Sequence, residues 1–151
     1  MRVRHTEAGA ADVGALLARG IRDDNCREIR RVCSCDPVRA LMDTVENADV
    51  KVASYVGDDL VALWGVRKKS ILSSEAYVWL IASNALDDHG LTFAKESKRI
   101  LARLQDSYPH LENFVDAGND RIIGWLKWLG FHFDPEPIVS PLGHQLYRFW
   151  R

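Results

Sequence analysis

The stretch Asn119–Phe131, NDRIIGWLKWLGF, decides how the second half of this chain folds. Its apolar residues recur at spacings of three and four, which is the pattern of an amphipathic helix. Asn119 is a residue type that caps helix N-termini, and Gly130 stands where a helix needs a left-handed residue to end. Phe131 then opens a strand. Together with the strand-like run Asn113–Asp116 before it, this stretch predicts a strand–helix–strand unit.

The composition is that of an ordinary globular domain. The 151 residues are 47% hydrophobic and 27% charged, and a chain of this length can bury a single sizeable core. We therefore expect one domain over residues 1–151. The formal net charge is −1, from 20 basic and 21 acidic side chains. This balance gives no electrostatic footprint for nucleic acid or a membrane surface, so neither is expected as a partner.

Targeting signals and cysteines indicate the compartment. No apolar run in the sequence reaches the length of a transmembrane helix, and no signal-peptide segment is recognisable, so we expect a cytoplasmic protein. Cys26, Cys33 and Cys35 are odd in number and crowded together. Cys26 and Cys33 share a helix face and are expected to be buried as small apolar residues. Further ligands at zinc-site spacing do not follow, so no metal site is predicted.

Hydrophobic periodicity predicts the remaining elements. A short strand and three helices come first, and three strands follow, the last of which is apolar throughout and expected to be central. The predicted segments are Arg2–His5, Ala11–Arg19, Asp23–Cys33, a helix beginning at Asp36-Pro37, Val50–Val56, Leu60–Val66, Ala76–Ala82, Leu91–Leu104, Leu111–Val115, the helix after Asn119, Phe131–Asp134 and Leu146–Trp150.

Hydrophobic spacing predicts which side chains of the second and third helices point into the core and which face water. Glu28, with its charged neighbours on the second helix, is expected to face water. The residues expected to point inward are Ile29, Val32 and Cys33 on the second helix, and Val38, Leu41, Met42 and Val45 on the third.

This order of elements resembles the GNAT N-acetyltransferase fold over nearly the whole chain, and Asn119 followed by Gly130-Phe131 resembles its second half. The resemblance implies an α/β fold in which a central mixed sheet of six to seven strands is flanked by helices on both faces. The segments WLIASNAL, NFVDAGN and WLKWLGF, with His89, further resemble the GNAT-like internal virion proteins of short-tailed phages. That narrower resemblance implies a virion-associated structural or assembly protein, found in the host cytoplasm during assembly and then in the virion. Its partners would be other phage structural proteins or a second copy of itself.

The resemblance also implies candidate contacts for acetyl-CoA. In active GNAT enzymes, the strand before the long helix offers backbone groups to the pantetheine arm. A Gln/Arg-x-x-Gly-x-Gly/Ala loop then binds the pyrophosphate at the helix N-terminus. The matching positions here are Leu80 and Ala82 on the strand and Gly90 and Thr92 in the loop. Asn119 could bond a pantetheine amide, or could cap its own helix.

The loop departs from the GNAT pattern in two ways. Asp87 stands at the Gln/Arg position with Asp88 beside it, and two carboxylates are expected to repel phosphates. The same acids can cap the helix and complement its dipole, which predicts a self-capped helix without a ligand. Thr92 replaces the second small residue, and its branched side chain narrows the approach.

The catalytic residues of an acetyltransferase are not evident. Many GNAT enzymes place a Tyr about two helical turns after the motif Asn, where it protonates the departing thiolate, and Leu126 occupies that position. Leu126 cannot donate a proton, so the catalytic residues stay unknown. Candidate bases near the expected cleft are Asp43, Glu46, Glu75, Tyr77 and His89.

The five tryptophans suggest a further role. Trp125, Trp128 and Trp150 are more tryptophans than one helix face and one edge strand bury easily. At least one of Trp128 and Trp150 is therefore expected at a protein–protein interface. Three hypotheses are therefore open. The preferred one is a phage structural or assembly protein on a GNAT fold, without acetyl transfer and without a cofactor. The second is an acetyl-CoA-dependent N-acetyltransferase acting on a small amine or a protein amine, and the third is a small-molecule binding module in the cleft.

Overall fold

The N-terminal half of the chain forms one edge of a sheet and three helices. In the computed structural model, which describes residues 2–151, these elements are β1 (Val3–Glu7), α1 (Ala10–Arg19), α2 (Asp23–Cys33) and α3 (Pro37–Asn47). Asp36 caps α3, because its carboxylate accepts a hydrogen bond from the backbone N–H of Arg39.

The remaining elements complete the sheet and add two helices on its other face. They are β2 (Val50–Val56), β3 (Asp59–Lys68), β4 (Glu75–Ala82), a short 3₁₀ helix (Asn84–Asp88), α4 (Gly90–Ser107), β5 (His110–Asp116), α5 (Asp120–Trp128), β6 (His132–Phe133), β7 (Ile138–Val139) and β8 (Gln145–Trp150). The 3₁₀ helix and β7 are elements that the periodicity does not predict, since both are too short to show a repeat.

The strands of residues 2–151 form one eight-stranded sheet in the order β1-β2-β3-β4-β5-β8-β6, with β7 also paired to β8. Every pairing is antiparallel except that of β4 with β5, which is parallel. The expected mixed sheet with helices on both faces is confirmed. The sheet contains an additional strand because Ile138–Val139, within the proline-rich turn, pairs with β8.

The two faces of the sheet are covered by different helices. Side chains of β4 alternate between the faces, as in any strand. Ile81 packs in a cluster with Leu16 of α1 and Leu41 of α3, while Ala76 packs with Leu101 of α4 and Leu126 of α5. The sheet centre is therefore buried on both faces, as expected for an apolar β4.

The helix of the opening stretch is confirmed. Its cap is Asn119, whose side-chain oxygen accepts a hydrogen bond from the N–H of Ile122 at 3.4 Å. Gly130 has φ of 92°, the left-handed conformation that ends the helix before β6.

Several expected inward-facing residues are instead exposed. Val38 and Met42 of α3 are 42% and 55% exposed, because the helix turns a different face inward, on which Leu41 and Val45 are buried. Cys33 is also exposed, since it lies in the last turn of α2, at the margin of the helix layer. Within residues 2–151, no helix combines the length and the apolar character of a membrane span.

Candidate functional site

Strands β4 and β5 separate part-way along their length and leave a gap in the middle of the sheet. They pair only where Glu75–Tyr77 lies beside His110–Glu112. The next link is a side chain, because Asn113 donates from Nδ2 to the carbonyl oxygen of Val78 at 2.8 Å. Beyond this link the two strands diverge.

The backbone of Leu80 faces the gap. At the end of β4, the N–H of Ala82 donates to Oδ1 of Asn25 at 2.8 Å and its carbonyl accepts from the N–H of Arg22 at 3.0 Å. Alternate residues of a strand direct their backbone groups to the same side, so Leu80, between Val78 and Ala82, directs its N–H and carbonyl into the gap. Of the two expected strand contacts, Leu80 faces the open gap, whereas α2 and the segment before it already bond Ala82.

The gap opens into a cavity of ≈ 280 Å³ that residues from both faces of the sheet line. On one face the lining comes from α4 and α5, and includes Phe93, Ser97 and Trp125. On the other face it comes from α2 and α3, and includes Glu28 and Ile29. The cavity thus connects the two faces through the sheet, in surroundings that are mostly apolar.

Glu28 brings a carboxylate to this cavity. Its Oε1 accepts a hydrogen bond from the backbone N–H of Asp116 at 2.7 Å, and its Oε2 accepts one from Nδ2 of Asn119 at 3.2 Å. Burial raises the pKa of Glu28 in spite of these two hydrogen bonds. A half-buried carboxyl with a raised pKa beside a cavity is a candidate general base.

The expectation that Glu28 faces water is wrong. Glu28 belongs to the face of α2 that packs against β5, and that face also carries Asn25, Ile29 and Val32. The spacing of three and four along this set is the signal that could have identified it. The neighbouring charged residues of α2 obscured that signal.

The N-terminus of α4 is open towards solvent. Within the described chain, no side chain caps this helix, and Phe93 is the residue whose N–H makes the first bond back to His89, at 3.0 Å. The preceding amides of Gly90, Leu91 and Thr92 therefore keep free donors. A Cβ placed on Gly90 would meet nothing within 4 Å, so a ligand can approach the backbone there.

The expected acidic cap does not form, because Asp87 is held by cations. Its Oδ1 accepts a hydrogen bond from Nη2 of Arg121 at 3.0 Å and lies 3.5 Å from Nη1 of Arg22. The 3₁₀ helix before α4 turns Asp87 towards these residues. Asp88 forms no ion pair among residues 2–151, so one of the two carboxylates stays unneutralised.

The five bases suggested by the sequence lie outside the cavity lining in the described chain. Asp43 and Glu46 are on the exposed side of α3. Glu75 lies 3.5 Å from Nζ of Lys69, which also lies over the ring of Tyr77. His89 lies 3.1 Å from Asp59, the first residue of β3.

Helix α5 contributes an apolar wall. Leu126 is buried in it, and Ile122 and Trp125 line the cavity beside it. Asn119 uses its side chain to cap α5 and to bond Glu28. The side chains of α5 in the cavity wall therefore offer no acidic proton to a leaving group.

Trp128 and Trp150 occupy different environments. Trp128 is 47% exposed, and Nζ of Lys98 lies 3.8 Å from its ring centroid. Trp150 is half-buried, donates from Nε1 to Asp134 at 2.9 Å and packs 4.7 Å from the ring of His132. Among residues 2–151, no group of three or more His, Cys, Asp and Glu side chains is placed to hold a metal ion.

Solved structures resemble this chain over its full length. No family model and no curated protein matches its sequence. Ard1 from Thermoplasma volcanium matches with a TM-score of 0.69 at 15% identity, over 100% of this chain and 97% of that one. The GNAT-family acetyltransferase from Streptococcus pneumoniae matches with 0.67 at 12%, over 99% and 98%. The spermidine N-acetyltransferase from Vibrio cholerae, in complex with CoA and spermine, matches with 0.69 at 14%, over 99% and 95%.

At these identities the likeness shows the fold. The chain has the fold of the GNAT N-acetyltransferases, as its order of elements predicts. These structures give no support to the narrower resemblance to phage virion proteins.

Proposed function

We propose that the protein is an acetyl-CoA-dependent N-acetyltransferase that acts on an amine. The observation that carries this proposal is the gap between β4 and β5. It joins the open α4 side of the sheet to the carboxylate of Glu28 on the opposite face. A cofactor and an amine can thus approach one point from two sides, which is what a direct transfer between them requires.

The residues present fit acetyl-CoA. The backbone of Leu80 offers a donor and an acceptor in the gap for the pantetheine arm. The free amides of Gly90, Leu91 and Thr92 form an anion site at the start of α4, beside the guanidinium of Arg121. When bound, acetyl-CoA supplies an acetyl group activated as a thioester. Asp88 and the branched Thr92 depart from the family pattern, and we expect them to weaken the affinity.

Glu28 is the residue positioned to handle the proton. It accepts the proton that the amine nitrogen loses as its bond to the acetyl carbon forms and the carbon–sulfur bond breaks. Its raised pKa brings the carboxyl closer to the pH of the reaction, which favours proton transfer. Because the cavity wall on α5 provides no acid, we expect turnover to be slow.

Thermal denaturation with acetyl-CoA tests the proposal. A ligand that binds only the native state raises the melting temperature by mass action, with about 2.7 kcal/mol gained at a hundredfold excess over Kd. We expect an upward shift at sub-millimolar acetyl-CoA and none with acetate at the same ionic strength. An unchanged melting temperature at millimolar acetyl-CoA would contradict the proposal.

The second candidate is the virion structural or assembly role, without acetyl transfer. Two observations favour a role without acetyl transfer, though neither points to a virion: Leu126 replaces the expected acid, and Trp128 is exposed on α5. In that role Trp128 and Trp150 would contact other phage structural proteins or a second copy of the chain. A missing acetyl-CoA shift, together with the protein at fixed stoichiometry in purified particles, would support this candidate.

A further inference from the structure

The gap in the sheet is bounded at both ends by asparagine side chains. Asn113 closes it at Val78. At the other end, Oδ1 of Asn25 on α2 accepts the hydrogen bond from the N–H of Ala82 at 2.8 Å. Backbone N–H groups of a strand lie in the plane of its sheet, so the amide of Asn25 reaches that plane from the α2 face. Between the two asparagines, Leu80 keeps its N–H and carbonyl free.

The amide of Asn25 retains a free donor. A backbone N–H can bond only to the oxygen of this amide, so the bond from Ala82 fixes which end of the amide is Oδ1 and which is Nδ2. Nδ2 has no hydrogen-bond partner among residues 2–151. In that part of the chain, Nε1 of Trp79 is the one side-chain nitrogen or oxygen that is both unpartnered and fully buried. Nδ2 of Asn25 therefore retains accessible surface, although the residue is only 7% exposed and lines the cavity.

Asn25 and Glu28 lie one helical turn apart on the face of α2 that lines the cavity. Residues three positions apart on a helix have Cβ atoms about 5–6 Å apart. One of the two side chains offers a neutral donor and the other a carboxylate. In an acyl transfer, the carbonyl oxygen and the attacking nitrogen are attached to the same carbon atom. The groups that contact these two atoms must therefore be close neighbours, as Asn25 and Glu28 are.

Other polar groups at the gap already have a role. Nδ2 of Asn113 bonds the carbonyl of Val78. The N–H of Leu80 is assigned to the pantetheine arm by the proposed function. Asn25 is thus the cavity-lining residue of the described chain that bonds the backbone of β4 and still keeps Nδ2 free.

We propose that Asn25 is a further catalytic residue, whose Nδ2 donates a hydrogen bond to the carbonyl oxygen of the acetyl group. Asn25 stabilises the negative charge that grows on this oxygen as the amine nitrogen bonds the carbonyl carbon. The charge leaves with the sulfur when the carbon–sulfur bond breaks, and the amine proton passes to Glu28. This inference rests on the proposed function, since it assigns a residue to the same reaction.

Calorimetry with two CoA derivatives tests the contact without any turnover. Acetyl-CoA carries the carbonyl oxygen, whereas S-ethyl-CoA has a methylene group in place of the carbonyl. No amine is added. We expect the wild-type protein to bind acetyl-CoA about tenfold more tightly than S-ethyl-CoA, as one net hydrogen bond provides. Equal affinities for the two derivatives would overturn the inference.

Asn25→Asp keeps an oxygen for the N–H of Ala82 and replaces the donor Nδ2 by a second oxygen. We expect this variant to bind the two derivatives within about threefold of each other. Asn84→Asp is the matched control, because it adds the same charge two residues after Ala82 and outside the described cavity lining. This control should retain the full preference. A full preference in Asn25→Asp would overturn the inference, because another donor would then hold the carbonyl.

Infrared spectroscopy gives a second measurement that does not depend on affinity. A hydrogen bond to a carbonyl oxygen weakens the C=O bond and lowers its stretching frequency. With bound acetyl-CoA that is isotope-labelled at the carbonyl carbon, we expect a higher frequency in Asn25→Asp than in the wild type and in Asn84→Asp. The same frequency in all three proteins would overturn the inference.

The wild-type comparison does not depend on the folding of any variant, and it separates this inference from the proposed function. An acetyl-CoA shift in melting temperature, with equal binding of acetyl-CoA and S-ethyl-CoA, would contradict the role of Asn25 alone. The absence of any acetyl-CoA shift would contradict the proposed function and the role of Asn25 together.

Discussion

Glu28 is the residue on which the proposed chemistry depends. Its carboxylate is held from two sides, by the backbone of Asp116 and the side chain of Asn119, so it is oriented before a substrate binds. Burial raises its pKa, and the carboxyl must lose its proton before it can act as a base. Activity should therefore fall as the pH falls through this raised value.

Glu28→Gln tests the role directly. The change removes the base and leaves the size of the side chain, so we expect kcat to fall by about 10²-fold or more. The acetyl-CoA shift in melting temperature should persist, since Leu80 and the start of α4 are untouched. Glu75→Gln is the matched control, because Glu75 is exposed and outside the cavity lining, and it should leave the rate unchanged. Activity in Glu28→Gln equal to that of the wild type would exclude Glu28 as the base.

The sequence can predict the role of a single residue when that role depends only on its own helix. Gly130 is identified because a helix end needs a left-handed residue, and Leu126 because helical spacing from Asn119 is fixed. The spacing along α2 can assign Glu28 to the packed face of that helix, but it cannot identify Glu28 as a site residue. That role depends on the gap between β4 and β5, which sequence spacing does not describe.

Helix α4 is the element that the proposal assigns to the phosphates. Its first turn has free amides and, within the part of the chain that the structure describes, no side-chain cap. An anion there would complement the helix dipole, and so would a carboxylate introduced by mutation. An introduced carboxylate should therefore stabilise the ligand-free helix and, at the same time, weaken the binding of an anion.

Leu91→Asp places a carboxylate in the first turn of α4 at a position that is 73% exposed, so little packing is lost. We expect the ligand-free protein to gain about 0.3–1 kcal/mol from the dipole, while the acetyl-CoA shift is lost through repulsion of the pyrophosphate. Melting curves with and without acetyl-CoA measure both effects. Leu72→Asp, at a 97% exposed position between β3 and β4, is the matched control and should retain the full shift. A full shift in Leu91→Asp would place the phosphates elsewhere.

Helices long enough to show a hydrophobic repeat could be predicted from the sequence. The contacts that these helices and their loops make with distant parts of the chain could not. The bounds of α2 are those that the pattern predicts, and those of α4 differ by three residues or fewer. The loop before α4 was expected to repel phosphate through both of its carboxylates. The structure pairs Asp87 with Arg121, thirty-four residues further along the chain, and a pairing over that separation leaves no trace in local sequence.

At the end of the gap where β4 and β5 still pair, Glu112 of β5 links three parts of the sheet. Its Oε2 accepts a hydrogen bond from Nε of Arg148 on β8 at 3.1 Å, and its Oε1 accepts from Lys69, which follows β3. His110 lies 3.0 Å from the same Oε1. Burial alone would raise the pKa of Glu112, but the hydrogen bonds from Arg148, Lys69 and His110 outweigh it and lower the pKa to about 2.

This depressed pKa predicts a pH-dependent stability. The contribution of Glu112 is present above the ordinary carboxyl value of 4.5 and is lost as the pH falls towards about 2. We expect Glu112→Gln to lower the free energy of unfolding at pH 7 by about 1–3 kcal/mol, because Lys69 and Arg148, both partly exposed, lose the charge of the buried carboxylate that they contact. The deficit should shrink by roughly half near pH 3. Urea denaturation at both pH values measures it, and an equal deficit at both would mean that the carboxylate charge is not responsible.

The gap begins at the side-chain amide of Asn113, directly after the last backbone pairing between β4 and β5. Asn113 donates to the carbonyl of Val78 and accepts from the N–H of Phe114 at 2.8 Å, so its side chain takes the place of the next rung between the strands. The Asn113 side chain has a fixed covalent length, and its hydrogen bond to Val78 has a narrow range of lengths. Together they set the distance between β4 and β5 at that point. Small shifts of the surrounding helices can alter the shape of the cavity, but the place where it crosses the sheet stays constant.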